Sequence, residues 1–212
     1  MADFDDAPSS STSDDIERLR IVCVNERFAP ELLPHEAELI KRLQDMVEEQ
    51  EKRISELRAD QSQSRLIYEL EKERVMYRLS SYLKARICKI KRLALYLASP
   101  EGADARSHMT DKEQTFHNKY VELYKEHVML EAWGHASAQA LPPRVKDIAS
   151  AAELLAKPPN IQTHVFCVAT RACDPIVLSS GRVVDQLARG EVAMLPYAPL
   201  RPLLANGDVQ LC

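Results

Sequence analysis

The chain has 212 residues, 45% hydrophobic and 28% charged, with a formal net charge of −4. That supplies core for one large domain or two small ones, and the charge is too near neutral to mark a dedicated nucleic-acid binder. Only 5 residues are glycine against 12 proline, and no two glycines stand at the spacing of a GxxxxGK or GxGxxG loop, which excludes P-loop nucleotide hydrolysis and a motif-bearing dinucleotide site.

In chain order, residues 1–13 (MADFDDAPSSSTS) are acidic, Ser-rich and poor in apolar side chains, and read as a disordered tail. Thr12 or Ser13 is placed to cap a first helix in which Ile16, Leu19, Val22 and Cys23 recur at helical spacing. Phe28 to Pro34 interrupts it, because proline disfavours helix in the residue before it. No glycine precedes Gly102 and no proline lies between Ala37 and Ser99, so long helices are expected there. A second helix follows Pro34, with Leu39, Leu43, Met46, Gln50, Ile54 and Leu57 on one stripe.

A third helix is expected over about 64–97. Its first half offers Leu66, Leu70 and Tyr77 for burial. Its second half offers Leu79, Leu83, Ile87, Ile90, Ala94 and Leu97 on another side. A helix apolar over so wide an arc touches several neighbours, so it is the central element of a bundle. Ser99 to Gly102 opens a loop, and Thr110-Asp-Lys-Glu113 is a capping box for a fourth helix. Phe116, Tyr120, Leu123, His127 and Leu130 form its expected inward stripe, fading near Gly134.

The resulting division is a tail (1–13), a helical domain (14–135), a connector between proline pairs (136–159) and a small β domain (160–212). The expected fold class is α+β. In the last part the period becomes strand-like in THVFCVAT, PIVLSS, RVVDQL and EVAML, with turns at Asp174-Pro175, Ser180-Gly181 and Arg189-Gly190. Pro199 to Ala205 suits a brief helix and residues 208–212 a closing strand. About 53 residues is small for an independent core, so this unit is expected to lean on something else.

Chemistry is sparse. Residues 127, 131 and 135 (His, Glu, His) are spaced four apart, but without an HExxH signature and with Gly134 in the way, so a structural histidine is the better reading. Cys167 and Cys173 lack a second pair or a histidine at finger spacing. Five cysteines, an odd count, suggest a reducing compartment rather than a disulfide framework. Ser180-Gly181 is at most half of a nucleophile elbow. No catalytic residue, cofactor, metal or small-molecule substrate is therefore expected. No apolar run approaches a membrane span.

Two features remain. A basic cluster, Lys84, Arg86, Lys89, Lys91 and Arg92, lies in the third helix, with Lys84, Lys89, Lys91 and Arg92 the candidate nucleic-acid contacts. The alternative is a solvated face or pairing with the acidic second helix, and no base-stacking aromatic platform adjoins the cluster. The other feature is apolar surplus: the third helix carries more core-type surface than two neighbours require and the β unit is undersized, as in a subunit of an assembly.

Several words are specific together. They are Asn25-Glu-Arg-Phe-Ala-Pro-Glu-Leu-Leu33, Glu73-Arg-Val-Met-Tyr-Arg-Leu-Ser-Ser-Tyr-Leu-Lys-Ala-Arg-Ile-Cys-Lys-Ile90, Leu141-Pro-Pro143, Val165-Phe166, Ala198-Pro-Leu200 and Leu204-Ala-Asn-Gly-Asp-Val-Gln-Leu211. In this order they resemble the GINS subunit family of the Sld-five type over nearly all of 14–212. The resemblance implies a nuclear, non-enzymatic subunit of a heterotetramer with three paralogues. In the family that tetramer joins the MCM hexamer and a further accessory factor as the replicative helicase, so any DNA contact is more simply indirect. The partner interface is then expected at Tyr77, Leu79, Tyr82, Leu83, Ile87 and Ile90 of the wide arc, and at Val165, Phe166, Val209 and Leu211 of the β unit. The alternative is a DNA-binding module built on the basic third helix.

Overall fold

In the computed structural model, which describes residues 10–58, 61–128, 156–178, 181–184 and 186–212, helices are followed by a small C-terminal sheet, an α+β fold as expected. Helix α1 (Ser10–Phe28) starts inside the segment read as a tail and stops before Pro30, whose ring disfavours helix at Ala29. Helix α2 (Ala37–Glu56) buries Leu39, Ile40, Leu43, Val47 and Ile54, close to the expected stripe. The long third helix breaks at Leu93 into α3 (Ser62–Arg92) and α4 (Ala94–Ala98).

The expected loop after Ser99 is instead a 3₁₀ turn (Pro100–Gly102) running into α5 (Ala103–Ser107). Gly102 is required there: a Cβ would collide with the Tyr96 carbonyl and lie 2.8 Å from Leu97 Cα. Helix α6 (Asp111–Val128) opens on the expected capping box. Thr110 N–H donates to Glu113 Oε2 at 2.9 Å, and Glu113 N–H donates to Thr110 Oγ1 at 3.3 Å. Its inward stripe differs from the expected one. Glu113, His117 and Val121 are buried, whereas Leu123 and His127 are exposed, because the ring nitrogen of His117 bonds the Ala94 carbonyl at 2.9 Å and turns that face toward α4.

Two apolar cores hold the helices. Leu19 of α1, Leu39 and Leu43 of α2, and Val75, Leu79 and Tyr82 of α3 form the first. Leu32, Ile90, Leu93, Leu97 and Met109 form the second.

A third core lies under the sheet. Strand β1 (His164–Ala169) is central, flanked antiparallel by β4 (Val192–Pro196) and β5 (Val209–Leu211), while β2 (Ile176–Val177) and β3 (Val183–Val184) pair separately. Helix α7 (Tyr197–Asn206) links β4 to β5 and ends at Gly207, whose φ of +75° suits glycine. The sheet leans on the helices as its size predicts. Leu211 N–H donates to Asn25 Oδ1 at 2.8 Å, and the carboxylate of Glu31 accepts from Tyr197 O–H at 2.8 Å and Arg201 Nε at 2.7 Å. Ala29 completes the sheet core.

Candidate partner interface

At 100° per residue, Val75, Leu79, Tyr82, Arg86, Lys89 and Ile90 share one side of α3, and all are buried against the rest of the chain. Two of them are cations. Arg86 is 0% exposed and fully hydrogen-bonded. Its Nε and one terminal nitrogen donate to Glu113 at 2.7 and 3.0 Å, its other terminal nitrogen donates to Glu26 at 3.1 Å, and the Leu33 and His108 carbonyls accept at 2.7 and 2.8 Å. Lys89 donates to Glu26 at 2.8 Å and to the Glu31 carbonyl at 2.7 Å.

These two cations and two carboxylates cancel in charge and tie α1, the 29–35 link, α3 and α6 together. Burial raises the Glu26 carboxyl and lowers the Lys89 ammonium, while their mutual attraction opposes both shifts. At Glu113 burial also pushes the carboxyl up, but the Arg86 guanidinium and the Thr110 amide outweigh it and hold it below the ordinary range. Burial lifts the Tyr82 phenol to about 12.

The opposite side of α3 is where the chain's own packing stops. Leu66, Leu70 and Tyr77 lie within about 40° of one another around the axis, and all three are exposed, Tyr77 at 75%. Met76 and Leu83, about a quarter-turn around the helix from that stripe toward the packed side, are also exposed, and Ile87 is half-buried. The expectation that Leu66, Leu70 and Tyr77 are buried is therefore corrected: α1 and α2 both pack on the Val75–Leu79–Tyr82 side, and nothing described covers the other. From Leu66 to Tyr77 the stripe runs about 16 Å along the helix.

The sheet repeats the arrangement on a smaller scale. Strand alternation sends Val165, Cys167, Ala169, Val209 and Leu211 inward. Phe166, 55% exposed, is directly opposite Met194 across β1 and β4, with exposed Val192 two pairs farther on, on the same face.

The residues expected at a partner interface thus separate. Leu79, Tyr82, Ile90, Val165, Val209 and Leu211 belong to the chain's own cores, while Tyr77, Leu83 and Phe166 face solvent. Leu66, Leu70, Met76 and Met194 join the exposed set, and sequence reasoning passed over them as partner contacts. The periodicity of Leu66, Leu70 and Tyr77 was visible, but not that no helix of this chain covers it.

The candidate nucleic-acid contacts also divide. Lys84, Lys91 and Arg92 are exposed, whereas Lys89 is withdrawn into the buried network. His127 is exposed on α6, and residues 131 and 135 lie outside the described residues, as does Ser180. Among the described residues no group of three or more His, Cys, Asp or Glu side chains is placed to hold a metal. Cys167 is buried beneath the sheet, which lifts its thiol to about 11 and keeps it protonated. No described helix is long and apolar enough to cross a membrane.

Residues 159–212 match the family model described as the DNA replication complex GINS protein SLD5 C-terminus. Over most of its length the chain is similar to proteins named DNA replication complex GINS protein SLD5. The Schizosaccharomyces pombe protein is 29% identical, covering 96% of this chain and 94% of that protein. Those of Rattus norvegicus and Homo sapiens are 29% and 27% identical, each over 92% of this chain and 88% of theirs.

Proposed function

We propose that this chain, similar over most of its length to Sld5-type GINS subunits of DNA replication, is a non-catalytic structural subunit of a GINS heterotetramer, the outer face of α3 being the surface on which a paralogous subunit packs. The observation that carries this reading is the exposed set of Leu66, Leu70, Met76, Tyr77 and Leu83 on a helix whose other side is already packed. Soluble proteins rarely leave several large apolar side chains of one helix uncovered together unless something binds them. A second helical subunit lying along it has the means to bury an area typical of stable assemblies. Phe166, Met194 and Val192 supply a second contact from the sheet.

Three other GINS subunits, the MCM helicase ring and its accessory factor are the proposed partners, in the nucleus. The mechanism is coupling free energy: a rigid body that contacts several helicase parts favours the conformation in which all contacts are made at once. Rigidity has a physical basis in the Arg86 network and in the bonds of Asn25 and Glu31 to the sheet. The alternative, a DNA-binding module along α3, is weakened because Lys89 points inward and Arg86 is fully paired.

The test is co-expression with the three paralogous subunits followed by mass measurement in solution. Wild-type chain enters a stoichiometric complex. Leu70→Asp with Tyr77→Asp leaves a folded chain that no longer co-purifies. Normal assembly of that variant overturns the reading.

A further inference from the structure

A groove of about 680 Å³ lies where the end of α1, α4, α6 and the segment before β1 meet. Arg27, Lys91, Arg92 and Lys157 line it, and among the described lining residues there is no carboxylate, in a chain whose acids outnumber its bases by 32 to 28. All four cations are exposed, and none is in an ion pair with a described residue. Between them lie Phe28, Tyr96, Tyr120 and Tyr124, and one wall is made of Pro30, Pro158 and Pro159. None of this derives from the exposed stripe of α3, and the groove plays no part in the function proposed above.

We propose that this groove is a docking site for an acidic peptide segment of a partner protein, one that carries an aromatic or aliphatic anchor among its aspartates or glutamates. Charge complementarity gives the sign of the ligand: four cations around a cleft, two of them over aromatic rings (Arg27 on Phe28, Lys91 on Phe116) and none with a described carboxylate partner, favour a multiply charged anion. Proline and tyrosine walls around a concave space accept an apolar side chain.

A single nucleic-acid strand fits less well. Tyr120 is stacked between Phe116 and Tyr124, with centroids 6.0 and 6.4 Å away, so neither face of its ring is free for a base. Lys84, about two turns before Lys91 on α3, is outside the groove, so no basic track leads away along the helix. The acidic N-terminal words do not serve either. Asp3, Asp5 and Asp6 precede the start of α1, whereas the groove is at its far end, about 26 Å away along the helix. An extended chain carries Asp3 at most about 25 Å back from Ser10 and Asp6 about 14 Å, so the acidic cluster as a whole falls short.

The experiment uses the full chain and a fluorescein-labelled peptide of repeated Asp-Asp-Phe, with binding read by anisotropy. Wild-type chain binds it, and raising salt from about 50 to 200 mM weakens binding severalfold. Lys91→Glu with Arg92→Glu weakens it at least about tenfold while circular dichroism and melting stay unchanged. Lys157→Glu, on a different segment, gives an independent loss if the first variant is perturbed. The same peptide with asparagine for aspartate does not bind. The proposal is overturned if wild-type chain ignores the peptide, if the charge reversals leave affinity unchanged, or if the asparagine peptide binds equally. It is also overturned if labelled oligothymidylate binds more tightly through the same residues, which would make the groove a nucleic-acid site.

Discussion

The inner face of α3 buries Arg86 and Lys89, whereas its outer face exposes Leu66, Leu70 and Tyr77. Hydrophobicity alone accounts for neither the buried cations nor the exposed apolar residues. The inner charges are tolerated because every one of their hydrogen-bonding groups meets a carboxylate or a carbonyl, and among the described residues no buried side-chain nitrogen or oxygen lacks a partner. The outer apolar residues are left in water because the chain has no further described element to lay over them. Which face is inside is thus decided by where partners exist, and an apolar face without one points to a second molecule.

The comparison breaks hardest at Arg86. Arg86→Met leaves Glu113 buried without its guanidinium and removes one of the two cations from Glu26. Removing one member of a buried charge set costs about 3–5 kcal/mol. Urea unfolding of the isolated chain measures it. Arg86→Lys, which keeps the charge but loses the two-pronged contact with Glu113, should fall between that variant and wild type. A loss below about 1 kcal/mol for Arg86→Met would mean that the inner face does not organise the helices.

The apolar part of the same face gives the next effect. Leu79 is 5% exposed between α1 and α2, so Leu79→Ala removes buried methyl groups and leaves a cavity, costing about 2–5 kcal/mol. Leu66→Ala, on the outer face, should change stability by less than about 0.5 kcal/mol. Equal losses at the two positions would erase the distinction between the faces.

Acid sharpens the role of the charges. The Glu113 carboxyl titrates below its ordinary value when folded. Its contribution is therefore fully present above the unfolded value of about 4.3, and is lost as pH falls through the lower, folded value. Thermal melts across that window should show wild type losing stability as pH falls. Glu113→Gln should already be weaker at pH 7, by about 2 kcal/mol, and flatter across the window. A parallel pH dependence in the two proteins would assign the acid sensitivity to other carboxylates.

Much of the fold was legible because the signals were local. The stripe of α2, the capping box at Thr110 and Glu113, and the strand pattern around Val165 and Cys167 depend on near neighbours in sequence. The break at Leu93 and the short helix α5 had no such marker. The buried role of Arg86 and Lys89 was hidden for a different reason: Glu26 lies 60 residues from Arg86 and 63 from Lys89, so a network reads in sequence as a basic cluster. The aromatics of α6 were likewise judged absent from the neighbourhood of Lys91, since only the fold brings Tyr120 and Tyr124 to the same groove. The family words fared better because they are whole stretches of chain rather than single positions.

The smallest expected effect on the isolated chain is the most informative. Tyr77, 75% exposed, makes no hydrogen bond or ring contact with any described residue. Tyr77→Asp should therefore leave the monomer's unfolding midpoint within about 0.5 kcal/mol of wild type. If a paralogous subunit packs on this face, the same change buries a carboxylate in an apolar contact, and affinity should fall by two or more orders of magnitude. Measuring stability of the isolated chain and retention by its paralogues side by side separates a surface residue from an interface residue. If Tyr77→Asp destabilises the chain alone, the outer face belongs to this molecule's own core. If it changes neither quantity, the partner lies elsewhere on the surface, with Phe166 and Met194 the next positions to alter.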